Sequence, residues 1–242
     1  MPSGAGRGRF ITFEGGEGAG KSTQVHLLQE RLARLGIVAL LTREPGGSPR
    51  AESIRKLLLS GAVKPYGQGA EAMMFSAARI DHLDKTIRPA LTAGTWVICD
   101  RFADSTRAYQ GAFGKPGELD LALIDALENV AVGRTRPDLT IILDIAPEEG
   151  LRRAGERAGA GAATDRFEQE ALAFHVAVRR RFLDIAAREP QRCAVIDAAL
   201  PLQEVAGRVW SAVEVRLIAP NAAPNPAPHR GRRTARKEGQ RA

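Results

Sequence analysis

Five short apolar runs recur along the chain: "RFITFEG", "VALLTREPGG", "TWVICDR", "PDLTIILDIAP" and "RCAVIDA". Each is apolar on both faces, and helical stretches lie between them, the pattern of parallel strands buried under helices. After the first run, "QVHLLQERLARLG" places Val25, Leu27, Leu28, Leu32 and Leu35 at roughly helical spacing. The pattern predicts an α/β three-layer domain with a five-stranded sheet flanked by helices. Ligands of such sheets sit at the carboxyl ends of the strands. The residues that close each run are therefore the candidates for chemistry.

The first run closes in "GGEGAGKST", where Gly15, Gly20, Lys21 and Ser22 satisfy G-x-x-x-x-G-K-[ST] between a predicted strand and a predicted helix. Glycines let successive backbone N–H groups turn toward phosphate oxygens, and the helix N-terminus adds positive potential. Gly15, Gly16, Glu17, Gly18, Ala19, Gly20, Lys21, Ser22 and Thr23 are thus expected to form a phosphate cradle. Lys21 would reach the β- and γ-phosphates and Ser22 would offer a hydroxyl to Mg²⁺.

The second run closes in Thr42, Arg43, Glu44, Pro45, Gly46 and Gly47, the third in Asp100 and Arg101. A carboxylate at Asp100 suits the Mg²⁺ and its waters. A guanidinium at Arg101, beside a phosphate cradle, suits a second phosphate. The stretch from Ala70 to Gly94 reads as one long helix on which Phe75 and Arg79, four apart, share a face. Farther on, a helix bearing Arg152, Arg153 and Arg157 gives way to "AGAGAAT" and then Arg166, a composition that suits an arginine-bearing lid at about residues 152–167.

Charge changes the picture at the ends only. The formal charge is +7, but six basic residues lie beyond Ala219 and two before Phe10, leaving 27 basic and 27 acidic residues between. Residues 1–8 read as a flexible extension, 9–218 as the folded domain and 219–242 as a disordered tail rich in Pro, Ala and Arg, which could touch RNA or anionic lipid. Cys99 and Cys193 sit in apolar runs and read as buried reduced thiols, which fits a cytoplasmic protein. No apolar stretch reaches membrane-spanning length.

"FEGGEGAGKST", "TREPGG", "MFSAAR", "DRFADSTRAYQG", "RPDLTIILDI" and "DRFE" together resemble bacterial thymidylate kinases, in that order and over about Arg9 to Leu217. The resemblance implies the P-loop NTP hydrolase fold with strand order 2-3-1-4-5 and a homodimer. It also implies transfer of the ATP γ-phosphoryl group to dTMP with Mg²⁺, and a catalytic lid arginine chosen among Arg153, Arg157 and Arg166, with Arg157 first. On the acceptor side it places Phe75 against the thymine ring and Arg79 on its edge. Thr106 and Gln110 fall at base-contacting positions, Ser105 at a dTMP-binding position, and Tyr109 where a tyrosine crowds the sugar 2′ position. Glu17 matches a position near the 3′-hydroxyl and the acceptor phosphate, and Arg43, Arg55 and Arg101 match acceptor-side positions, with Arg101 on the dTMP phosphate. Another nucleotide or deoxynucleoside kinase would share Lys21, Ser22 and Asp100. A P-loop ATPase or switch that grips RNA through the basic tail is the reading from a different class.

Overall fold

The computed structural model describes residues 7–112, 121–158, 167 and 170–219. Each of the five apolar runs forms a strand: β1 Phe10–Glu14, β2 Ala39–Arg43, β3 Trp96–Asp100, β4 Leu139–Asp144 and β5 Cys193–Asp197. All pairings are parallel and the order is β2-β3-β1-β4-β5, as the resemblance implied. Every residue of the central strand β1 is fully buried, so each of its apolar side chains contributes the about 1.5–3 kcal/mol of complete burial. The edge strands depart from the expected pattern. β2 is only half-covered and β5 buries only Cys193 and Ile196, because an edge strand has one fewer neighbour to shield it.

Helices α1 (Lys21–Arg34) and α9 (Leu202–Val213) cover one face of the sheet. Their Leu28, Leu32, Val209 and Val213 pack on Ile11, Phe13, Leu139 and Ile141. The other face carries α3 (Gly67–His82), α5 (Ala103–Ala112), α6 (Leu121–Val132) and α8 (Leu172–Arg188). Between them in sequence come α2 (Pro49–Leu59), α4 (Arg88–Thr92) and α7 (Pro147–Ala158). The single long helix expected from Ala70 to Gly94 is α3 and α4 joined by a π-helical segment, Leu83–Ile87. That segment precedes Pro89, whose missing N–H and bulky ring disturb the regular ladder of a helix. Cys99 and Cys193 are both buried and unpaired with each other.

Among the described residues no helix is long and apolar enough to cross a membrane. Arg166 and the residues from 220 onward lie outside the described residues, as do residues 1–6.

Candidate active site

β1 delivers the chain to the phosphate loop at Gly15, where φ is +134° and a Cβ would sit 2.4 Å from the carbonyl oxygen of Leu143 on β4. Only glycine fits that turn. The loop returns into α1 at Lys21, so the loop's backbone amides and the helix N-terminus converge as the motif requires. Lys21 Nζ donates to the carbonyls of Gly16 (2.7 Å) and Gly15 (3.1 Å). Burial, followed by the nearby Arg101 charge, lowers its pKa to about 8. Ser22 Oγ donates to Asp100 Oδ2 at 2.6 Å, which brings the two expected Mg²⁺ residues together across 78 positions of sequence.

Arg101 follows β3 with φ at +68°, a conformation that non-glycine residues rarely adopt. Four hydrogen bonds hold it there. Its N–H donates to Phe13 O at 2.9 Å, while the next amide, of Phe102, donates to Glu14 Oε1 at 2.7 Å. Ser105 Oγ donates to Glu14 Oε2 at 2.5 Å and accepts from Arg101 Nη1 at 3.2 Å. The guanidinium is thereby turned back to the phosphate loop, donating to Gly15 O (3.1 Å) and Glu17 Oε1 (2.8 Å). It lies 4.9 Å from the centre of the Tyr109 ring, and the Tyr109 hydroxyl donates to Glu17 Oε1 at 2.6 Å. Burial alone would raise the pKa of Glu17. Arg101, Lys21 and the Tyr109 hydrogen bond outweigh it and bring the value down to about 2. Burial also raises the pKa of Glu14, helped by the charge of Asp104.

A cavity of about 290 Å³ opens from this centre. Its walls include Glu17 through Thr23, Arg43, Arg55, Phe75, Arg79, Asp100, Arg101, Ser105, Thr106, Tyr109, Gln110 and Arg157. Nearly all of the residues singled out in the sequence thus meet on one surface. Gly15 and Gly16 instead line a small space of about 20 Å³ behind the loop. Arg153 points elsewhere: it donates to Glu149 Oε1 (2.7 Å) and to Ala198 O (3.0 Å) after β5. Arg166 is outside the described residues.

The wall of the cavity away from the phosphate loop is aromatic and amide-bearing. Phe75 lies 6.3 Å from Phe167, and Tyr109 is 5.6 Å from Phe167 in an edge-on contact. Gln110 is 1% exposed, and neither its amide oxygen nor its amide nitrogen has a partner among the described residues. A buried carboxamide left with both ends unmet is suited to a ligand that carries both a donor and an acceptor. Arg79 is bound up more completely than its place on a helix face suggests. It is 1% exposed and donates to Glu44 (2.8 Å), Glu128 (2.5 Å) and Thr106 Oγ1 (3.0 Å). Glu44 also meets His82 Nδ1 at 3.0 Å, so one carboxylate ties the end of β2 to α3. The remaining two arginines are braced at the rim, Arg55 on Pro45 O (2.7 Å) and Arg43 on both oxygens of Glu52 (3.0 and 3.2 Å).

Sequence reasoning overlooked Glu14, Glu128 and Phe167 as members of this constellation. Glu14 abuts the glycine loop and Phe167 lies in "DRFE", so both had a local signal. Glu128 had none, because it sits on an otherwise unremarked helix 49 residues beyond Arg79.

A parallel sheet with a phosphate loop at its centre, a strand-end aspartate on the loop's serine and an arginine-lined acceptor cavity define a P-loop phosphotransferase. The thymidylate kinase family model matches residues 13–209. The thymidylate kinase of Rhodopseudomonas palustris (strain TIE-1) is 57% identical over 215 residues, covering 88% of this chain and 92% of its own. That of Nitrobacter winogradskyi is 55% identical over 219 residues, covering 90% and 93%. Among solved structures, thymidylate kinase from Ehrlichia chaffeensis superposes with a TM-score of 0.67 at 36% identity, over 86% of this chain and 99% of that one. The chain belongs to the thymidylate kinase family.

Proposed function

We propose that this chain transfers the γ-phosphoryl group of ATP to the phosphate of dTMP, giving dTDP and ADP in the synthesis of dTTP. The observation that carries the reading is that one cavity joins the phosphate loop to a wall of Phe75 and Gln110, with Arg101 also on its lining. Lys21 takes the β- and γ-phosphates of the donor. Arg101, fixed by Glu17 and Gly15, takes the acceptor phosphate and aligns it with the donor. Phe75 stacks on the base, while Gln110 offers both amide ends to its edge. Arg79 belongs to the same wall and presents Thr106 to the base while it is itself anchored by Glu44 and Glu128. Tyr109 crowds the sugar through its bond to Glu17.

No side-chain base is needed, because the acceptor's second phosphate pKa is about 6 and a nucleophilic oxygen is already ionised near neutrality. Among the described residues no group of three or more His, Cys, Asp and Glu side chains could hold a metal by itself. Ser22 and Asp100 are hard oxygen donors at the end of the cradle and fit Mg²⁺ shared with nucleotide phosphates. When bound, that ion offsets the negative charge of the transferring group. Arg157, on the cavity wall, is the lid arginine this reading selects over Arg153.

Exposed apolar side chains seven apart, Met73 and Ile80 on α3 and Leu123 and Val130 on α6, support a homodimer formed across these two adjoining helices. Buried unpaired cysteines support a cytoplasmic location. The activity is tested by coupled ADP release with ATP and Mg²⁺, comparing dTMP with thymidine, dUMP and AMP. Strong preference for dTMP with dTDP as product is the expected result. Release that does not depend on any acceptor would overturn the reading.

A further inference from the structure

Gly150 lies in the first turn of α7, with its N–H donating to Ala146 O at 3.0 Å and ordinary helical backbone. Alanine is favoured over glycine in such a position, so conformation does not explain the glycine. Space does. A Cβ at Gly150 would lie 2.4 Å from the carbonyl oxygen of Glu17 and 3.3 Å from Ile145 Cγ2. The contact is reciprocal, since a Cβ at Gly18 would lie 1.9 Å from Gly150 O and 2.7 Å from its carbonyl carbon. Backbone therefore meets backbone on both sides, and neither can yield as the tip of a flexible side chain would. Gly155, in the same helix, has nothing within 4 Å of its Cβ position.

The contact joins two parts of the site that would otherwise be independent. Seven residues along α7 from Gly150, a rise of about 10 Å, is Arg157 on the cavity wall. On the other side, the residue whose carbonyl is touched is Glu17, whose carboxylate holds Arg101 and Tyr109. A displacement here passes along one helix to the lid arginine and through one side chain to the acceptor arginine.

We propose that Gly150 is a positioning residue that seats α7 directly on the phosphate loop, so that the lid arginine and the cradle are held in one register. The proposal rests on the phosphoryl-transfer reading given above. It predicts that Gly150→Ala lowers the thermal midpoint by only a few degrees, the usual cost of crowding at one site, while kcat falls ten- to hundredfold. Gly155→Ala, in the same helix, keeps kcat and the midpoint. A Gly150→Ala enzyme whose kcat stays within twofold would overturn the idea, as would a loss of kcat matched by a collapse of the thermal midpoint. A second measurement uses the natural chain and needs no turnover: hydrogen exchange with and without Mg²⁺ and a non-hydrolysable ATP analogue. Amides of residues 17–20 and of the first turns of α7 should slow together on binding. Protection confined to the phosphate loop would overturn the coupling. Failure of dTMP-dependent ADP release, by contrast, would remove the kinase reading and leave this exchange result standing on its own.

Discussion

Lys21 and Glu17 share one loop, yet their surroundings move their ionisation by opposite balances of the same forces. For Lys21, burial dominates and the pKa falls to about 8. The free enzyme therefore loses its phosphate-binding charge as pH rises through that value. The expected outcome is that kcat/KM for ATP falls about tenfold per pH unit above roughly pH 8, and initial-rate profiles check it. Lys21→Ala should lower turnover by about a thousandfold, the size of effect seen when one preorganised charge donor is removed. For Glu17 the neighbouring cations win, and the folded-state pKa is depressed from 4.5 to about 2. Its contribution to stability is full above pH 4.5 and is lost as pH falls toward 2, because the unfolded chain binds the proton first.

Two neighbours on α3 separate a binding role from a structural one. Phe75 is half-buried beside Phe167, so Phe75→Ala should raise the KM for dTMP about tenfold or more and leave the KM for ATP little changed, given the usual strength of base stacking. Equal loss for both nucleotides would contradict the stacking role. Arg79→Ala instead strands Glu44 and Glu128 as buried carboxylates without their cation. A urea titration should show it destabilised by about 3–5 kcal/mol, so its kinetics cannot be read as base recognition alone.

At the scale of elements, the junction of β3 with α5 is the unit that aims the acceptor arginine. The strand ends at Asp100, the backbone reverses through Arg101 at positive φ, and the helix starts at Ala103. Glu14, at the end of the neighbouring strand, accepts from both Phe102 N–H and Ser105 Oγ and so braces the reversal. Glu14→Ala leaves a buried amide and a hydroxyl without this acceptor, at about 1–3 kcal/mol each. Loss of stability by that amount, together with a raised KM for dTMP, is the expected result. The aspartate and arginine of this junction were legible in the sequence because they close an apolar run. Its brace was not, because Glu14 and Ser105 lie 91 residues apart and no local pattern links them.

At the scale of the whole molecule, the cavity of the site is lined, among the described residues, from Glu17 to Phe167. The family model ends at residue 209, short of the basic tail, so a chain ending at residue 219 should keep the turnover of the full protein, as initial-rate assays of the two would show. Sedimentation velocity should report a dimer for the natural chain. Val130→Glu, at a position 79% exposed in one chain, should shift it to monomer without unfolding it.

Periodicity and spacing were enough to determine five strands, a phosphate loop between a strand and a helix, and Arg43, Asp100 and Arg101 at the ends of two of those strands. Such signals act over a few neighbouring residues, and the backbone geometry of strand, turn and helix is set at that range. What tertiary structure alone decided is which of those side chains meet. It sent Arg153 away to Ala198 O while Arg157 joined the cavity, committed Arg79 to two carboxylates on separate elements, and laid Gly150 against Glu17. Each of these contacts spans tens of residues or more, so it exists only once the helices have packed on the sheet and fixed the distances between them.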